Sequence, residues 1–188
     1  MEPVVVWING AFGVGKTSVA KALVREWDGA VLFDPEQVGA LLRRTIPRDR
    51  HTNDYQDFPL WRRLTVETIS GLATGYRRPV VVPMTLTNDS YFREIIGGLR
   101  DSGVEVFHFA LTARPATIRR RLLARLLRAQ PILWAWSRVE RCCEALECPE
   151  FREHIDADNL SVREIAARIR AGVEGQPPAA PAKPQPAS

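Results

Sequence analysis

Apolar positions along this 188-residue chain fall into two patterns: short runs that are apolar throughout, and longer stretches with helical spacing. Val4-Val5-Val6-Trp7-Ile8 is continuous and rich in β-branched residues, as expected of a strand covered on both faces. A glycine-rich turn follows, then a helix from about Lys16 to Trp27. Ala30–Phe33 reads as a second short buried strand, ended by Asp34-Pro35, and a helix continues to about Arg44. Ile46–Phe58 contains proline and many polar residues and reads as a loop. Leu60–Tyr76 is helical, with Leu60, Leu64, Ile69 and Leu72 roughly on one side. Val80–Pro83 predicts a third buried strand, Tyr91–Ser102 a helix stopped by Gly103, and Val104–Leu111 a fourth strand.

Pro115–Arg128 reads as a helix with proline in its first turn. Gln130–Trp136 is a loop with apolar anchors, Arg138–Leu146 is helical, and Glu153–Ile155 is a fifth strand. Ser161 caps a last helix to about Val173, with Glu164 at the capping-box spacing. Strand and helix alternate throughout, the mark of a parallel α/β sheet. Gln176–Ser188 is rich in proline and alanine, so a single domain over residues 1–175 and a disordered tail over 176–188 are expected.

Composition narrows the setting. Apolar residues make up 45% and charged residues 26%, enough for a core and ordinary for a globular domain. The net charge of +4 comes almost wholly from arginine, since Lys16, Lys21 and Lys183 are the only lysines. This balance suits anionic ligands such as nucleotides, and heavy arginine use also fits a GC-rich genome. Cys142, Cys143 and Cys148 are too clustered for a disulfide framework and lack the second pair that zinc needs; they read as reduced thiols on a helix. No signal peptide is visible, and no run reaches the roughly 18 apolar residues of a membrane span, so a cytoplasmic protein without a transmembrane segment is expected.

The turn after the first strand carries the chemistry. Gly10-Ala11-Phe12-Gly13-Val14-Gly15-Lys16-Thr17 satisfies G-x-x-x-x-G-K-[ST], with a buried strand before it and a helix after it. Glycines allow left-handed angles that turn backbone N–H groups inward, and the positive end of the next helix adds to their pull on phosphate. ATP is the expected ligand, held by Gly10 through Thr17 and Ser18. Lys16 is expected on the β and γ phosphates and the Thr17 hydroxyl on Mg²⁺.

Asp34 ends the second strand, where ligands of open α/β sheets gather. It could bind Mg²⁺, accept a proton from an attacking hydroxyl, or simply cap the next helix. The third and fourth strands end in Met84-Thr85 and Leu111-Thr112, without a second acid.

Arg114, Arg121, Arg125 and Arg128 fall near one helical stripe, with Arg138 and Arg141 after the following loop. A lid closing over ATP would use such arginines, Arg121 and Arg125 first, to stabilise transferring phosphate. A solvated basic face is the plainer reading. A nucleic-acid patch is disfavoured because aromatic residues are not interleaved. His108 reads as a core histidine, and Trp61, Trp134 and Trp136 as ring-stacking or core residues. Asp54, Tyr55, Asp57, Phe58, Trp61 and Arg62 mark where an acceptor would sit.

These strings together resemble the tunicamycin-resistance ATP-binding proteins of bacteria. The likeness rests on Trp7-Ile8-Asn9-Gly10-Ala11-Phe12-Gly13 with Gly15-Lys16-Thr17, Asp34-Pro35-Glu36, Phe58-Pro59-Leu60-Trp61-Arg62, Val82-Pro83-Met84-Thr85, Tyr91-Phe92, Glu94-Ile95-Ile96-Gly97 and Asp158-Asn159-Leu160-Ser161. The resemblance implies a nucleoside-monophosphate-kinase-like P-loop fold: a five-stranded parallel sheet in order 2-3-1-4-5, helices on both faces and a helical lid. It implies Asp34 as base and adenine near the lid arginines and Asn159–Ser161. It also implies a role toward the nucleoside antibiotic tunicamycin, by phosphorylation with ATP or by ATP-dependent sequestration of the drug. The chain departs from most small-molecule kinases in lacking an acid after its third strand.

Overall fold

A computed structural model describes residues 3–126 and 135–175. In chain order the regular elements are β1 (Val4–Gly10), α1 (Lys16–Glu26), β2 (Val31–Leu32), α2 (Glu36–Thr45), α3 (Pro59–Gly75), β3 (Val80–Pro83), α4 (Asp89–Asp101) and β4 (Glu105–Thr112). α5 (Pro115–Leu126), α6 (Val139–Leu146), β5 (His154–Asp156) and α7 (Val162–Gly175) complete it. The strands form one parallel sheet in the order β2-β3-β1-β4-β5. The expected 2-3-1-4-5 order is therefore present.

β1 lies at the centre, with Trp7 opposite Val82 on one side and His108 on the other. Its side chains alternate between two cores because successive residues of a strand face opposite ways. Val4, Val6 and Ile8 pack with Val19 and Leu23 of α1 and Ile165 and Ile169 of α7. Val5 and Trp7 pack with Trp61 and Ile69 of α3 and Ile95 and Leu99 of α4. Each such side chain contributes about 1.5–3 kcal/mol on burial. The sheet is thus anchored on both faces, and its carboxyl ends are left for loops to build a site.

Several expectations shift in detail. β2 contains only Val31 and Leu32 and is half-buried, because it is an edge strand paired on one side with β3. The Ile46–Phe58 loop includes two single turns of 3-10 helix, Arg48–Arg50 and Tyr55–Asp57. Cys142 and Cys143 are in α6, but Cys148 lies beyond its end, before a turn begun by Pro149. All three thiols are free. Pro115–Arg128 is described as helix up to Leu126. Residues 130–134 of the expected loop and the expected tail, 176–188, lie outside the described residues. No helix among the described residues is long and apolar enough to cross a membrane.

Candidate functional site

The turn between β1 and α1 bends through positive φ at Gly10 (147°), Gly13 (89°) and Gly15 (120°). Two of these glycines are needed for different reasons. A Cβ on Gly13 would sit 2.8 Å from Leu122 Cγ, so the loop can lie against α5 only without a side chain there. A Cβ on Gly15 would meet nothing within 4 Å. That open space faces the start of α1, which has no side-chain cap on its first N–H groups. Uncapped donors beside an open glycine make a place for phosphate oxygens. Thr17 and Ser18 are exposed on the first turn of α1.

The Lys16 side chain is buried beneath this cradle. Its ammonium donates to Gly10 O (2.9 Å), Ala11 O (3.1 Å) and Thr85 Oγ1 (2.7 Å). The Thr85 hydroxyl in turn donates to Gly10 O at 2.9 Å. These three oxygens are neutral, so none of them cancels the charge of the ammonium.

A buried amide holds the two loops together. Asn9 Oδ1 accepts from the Gly10 and Leu86 N–H groups (2.8 and 2.9 Å), and Asn9 Nδ2 donates to Leu86 O (2.8 Å). Behind it, His108 Nδ1 donates to Arg152 O at 2.6 Å, leaving Nε2 to accept from Asn9 Nδ2 at 3.3 Å. Burial, opposed in part by the bond to Arg152, lowers the His108 pKa to about 4. His108 is thus a satisfied, neutral core histidine.

On the β2 side, Asp34 Oδ1 accepts from the Glu36 N–H at 3.0 Å. The carboxylate does tie down the entrance to α2, and its second oxygen remains available. Glu36 is exposed overall, yet its carboxyl group loses water to surrounding protein and feels Asp34 and Asp54, which raises its pKa against the pull of Lys16. Tyr55 lies directly on α2: a Cβ on Gly39 would be 2.6 Å from the Tyr55 ring. Its phenol pKa is raised by burial and then by Glu36, Asp54 and Asp34.

The turn carrying Tyr55 is firmly placed. Asp54 Oδ1 accepts from the Gln56 N–H (3.0 Å), and Gln56 Nε2 donates to Thr85 O (2.9 Å). Arg62 donates to Gln56 O (2.7 Å) and to Glu94 (2.5 Å), and its guanidinium lies 4.2 Å from the Tyr91 ring centroid. Tyr91 donates to Asp57 at 3.2 Å. Trp61 is fully buried with its indole N–H on Pro35 O, so it serves the core.

On the opposite side of the phosphate cradle lies a cleft of about 480 Å³, bounded by Gly13, Gly15, Ser18, Arg121, Ala157 and Leu160. Arg121 donates to Val14 O (2.8 Å) and Ala157 O (2.7 Å), joining α5, the cradle and the loop after β5. Its terminal nitrogens are committed to carbonyls, so in this arrangement it shapes the cleft rather than reaching over the phosphates. The Asn159 side chain donates to Asp156 (2.7 Å) and is not among the cleft-lining groups; its neighbours Leu160 and Ser161 are.

The basic stripe divides. Arg114 pairs with Asp158 at 3.0 Å. Arg119 pairs with Glu140 and lies 5.4 Å from the Trp136 ring centroid, tying α5 to α6. Arg138, just before α6, reaches Asp54 at 3.4 Å and so links that segment to the Tyr55 turn. Arg141 is exposed. The Arg125 side chain, Arg128 and Trp134 lie outside the described residues.

The structure adds Asn9, Gln56 and Thr85 to the residues singled out for this site by their chemistry. Asn9 and Thr85 fall inside strings that carry the family resemblance, but by residue chemistry alone all three show only polarity at a strand end or in a turn, which is also what ordinary loops show.

For a magnesium ion, the described residues contain no group of three or more His, Cys, Asp or Glu side chains set to hold a metal by themselves. The exposed Thr17 hydroxyl and the second oxygen of Asp34 fit an ion that takes most of its ligands from phosphate and water.

Residues 5–149 match the AAA domain family. A comparison with functionally curated proteins finds no match. Among solved structures, the Deinococcus radiodurans tunicamycin resistance protein superposes with a TM-score of 0.76 and 30% identity, covering 96% of this chain and 100% of that one. A gluconokinase from Sinorhizobium meliloti 1021 gives 0.63 at 20% identity, covering 92% and 93%. The Mycobacterium tuberculosis APS kinase, in complex with AMPPNP and APS, gives 0.58 at 17%, covering 92% and 98%. These two kinases share the fold. By its family match and its likeness to the Deinococcus protein, the chain belongs to the AAA domain family and, within its P-loop kinase-like fold, to the tunicamycin-resistance proteins.

Proposed function

We propose that this chain is an ATP-dependent phosphotransferase acting on a hydroxyl of a small molecule, tunicamycin or a related nucleoside, in the cytoplasm. The observation that carries the reading is the placement of Lys16. It is buried under an open glycine cradle and donates to three neutral oxygens, with Asp34 and Glu36 on the acceptor side.

Bound Mg·ATP supplies the phosphoryl group and the metal charge. The chain's own residues do the rest. The backbone N–H groups of Gly13 to Lys16 and the positive end of α1 hold the triphosphate, and the Lys16 ammonium offsets its charge. Thr17 offers a metal ligand. Asp34, oriented through one oxygen by the Glu36 N–H, accepts the proton of the attacking hydroxyl on the other. The cleft beside Arg121 takes the base. The ion pair Arg138–Asp54 closes the lid segment toward the acceptor side.

Incubation with γ-labelled ATP and tunicamycin is expected to give a labelled drug. Asp34→Asn should lower turnover by about 10²–10⁴-fold and leave nucleotide affinity nearly unchanged. ATP consumption without a phosphorylated product rejects the reading.

The absence of an acid after β3, where Thr85 stands, favours one second reading: ATP-dependent binding that sequesters the drug. It requires tight drug binding that survives Asp34→Asn, with no modified product.

A further inference from the structure

Lys16 has three N–H donors, and each of three oxygens takes one: Gly10 O, Ala11 O and Thr85 Oγ1. An arriving triphosphate can claim this ammonium only by displacing one or more of them. Two of the oxygens belong to the phosphate loop itself. The third belongs to Thr85, which is 4% exposed and has a second commitment. Its carbonyl accepts from Gln56 Nε2 at 2.9 Å, and Gln56 sits in the turn that presents Asp54 and Tyr55.

A continuous hydrogen-bonded chain therefore runs from Lys16 through Thr85 to Gln56. Its flanks are stiff. Leu86, the next residue after Thr85, is held at both its N–H and C=O by Asn9. On the far side Gln56 O is held by Arg62. A rearrangement at the lysine is therefore passed along rather than absorbed by slack.

We propose that Thr85 is a positioning residue that couples the nucleotide-gripping lysine to the acceptor-side turn, so that filling the phosphate cradle changes the stability of residues 54–58. This rests on the phosphate-site half of the phosphotransferase reading and does not need the acceptor to be identified. By linkage, whatever nucleotide does to the turn, an acceptor seated on the turn does to nucleotide affinity.

The test is amide hydrogen exchange on the whole protein with and without Mg·AMPPNP. The informative amides are those of Gln56, Asp57 and Phe58, bonded at present to Asp54 Oδ1 (3.0 Å), Asp54 O (3.1 Å) and Tyr55 O (3.1 Å). Nucleotide should slow exchange at Gly13 to Lys16 and also change exchange at 56–58, by about 5–150-fold, the usual range of such coupling. Thr85→Val and Gln56→Leu cut the chain at different bonds, so each should keep the effect at Gly13 to Lys16 and lose it at 56–58. Thr85→Ser, which keeps the hydroxyl, should restore it.

Protection at Gly13 to Lys16 with no change at 56–58 in the unaltered protein overturns the proposal and leaves the phosphotransferase reading standing. So does survival of the effect in Thr85→Val or Gln56→Leu, or failure of Thr85→Ser to restore it. No protection anywhere removes the phosphate site and the coupling with it. A nucleotide-dependent change at 56–58 without any phosphorylated drug upholds the coupling and rejects the transfer.

Discussion

The residues that hold the phosphate loop in place from behind are uncharged or neutralised by burial. Asn9 and Thr85 orient charges without cancelling them, and His108 stands behind Asn9 as a neutral ring. That neutrality makes His108 sensitive to acid. Its pKa falls from 6.5 to about 4 in the folded chain, so between these values the unfolded chain binds a proton that the folded one refuses. Stability is then lost as pH falls through this window, and below it nothing further is lost at this site. The contribution between pH 7 and pH 5 is about 2 kcal/mol. Urea unfolding at the two pH values should show this loss, and in His108→Gln the pH-dependent part should shrink by about that amount. An unchanged pH dependence would remove His108 as its source. In the sequence His108 is a polar residue inside an apolar strand, and that was enough to place it in the core. Asn9 gave no comparable signal, because one amide at a strand end reads equally as a turn residue.

Elements were legible where local chemistry and periodicity agree. The start of α7 is such a case. Ser161 Oγ accepts from the Glu164 N–H (3.3 Å), and the Ser161 N–H donates to Glu164 Oε2 (2.7 Å), as their spacing predicted. Ser161→Ala should cost about 1 kcal/mol in chemical denaturation, and a change within error would show the cap to be dispensable. β3 likewise has the bounds its apolar run indicates, Val80–Pro83. β2 was legible as a strand but not in its length, because an edge position is set by tertiary pairing with β3. The candidate site was legible at the phosphate loop and at Asp34, which local motif and strand end specify. The cleft needed three distant segments, α5, the cradle and the loop after β5, brought together by Arg121. Spacing along α5 placed Arg121 on a basic stripe but could not say that carbonyls would occupy its nitrogens.

At the scale of the whole molecule, two cores hold a five-stranded sheet from both sides, and the candidate site is built by the loops at the carboxyl ends of its strands. α1, α5 and α7 border the cleft beside Arg121; α2 and α3 border the Tyr55 turn. A ligand that binds only the folded state adds RT ln(1 + [L]/Kd), about 2.7 kcal/mol at a hundredfold excess over Kd. For a chain of this size that raises the melting temperature by about 5–10 °C. Mg·AMPPNP should produce such a shift in the unaltered protein and none in Lys16→Ala. Equal shifts in both would mean that the nucleotide binds elsewhere.

The seat of Tyr55 on α2 is possible because residue 39 has no side chain; a methyl group there would already intrude on the ring. Position 39 is therefore a place where a single added methyl would move the Tyr55 ring, and with it the shape of the proposed acceptor side.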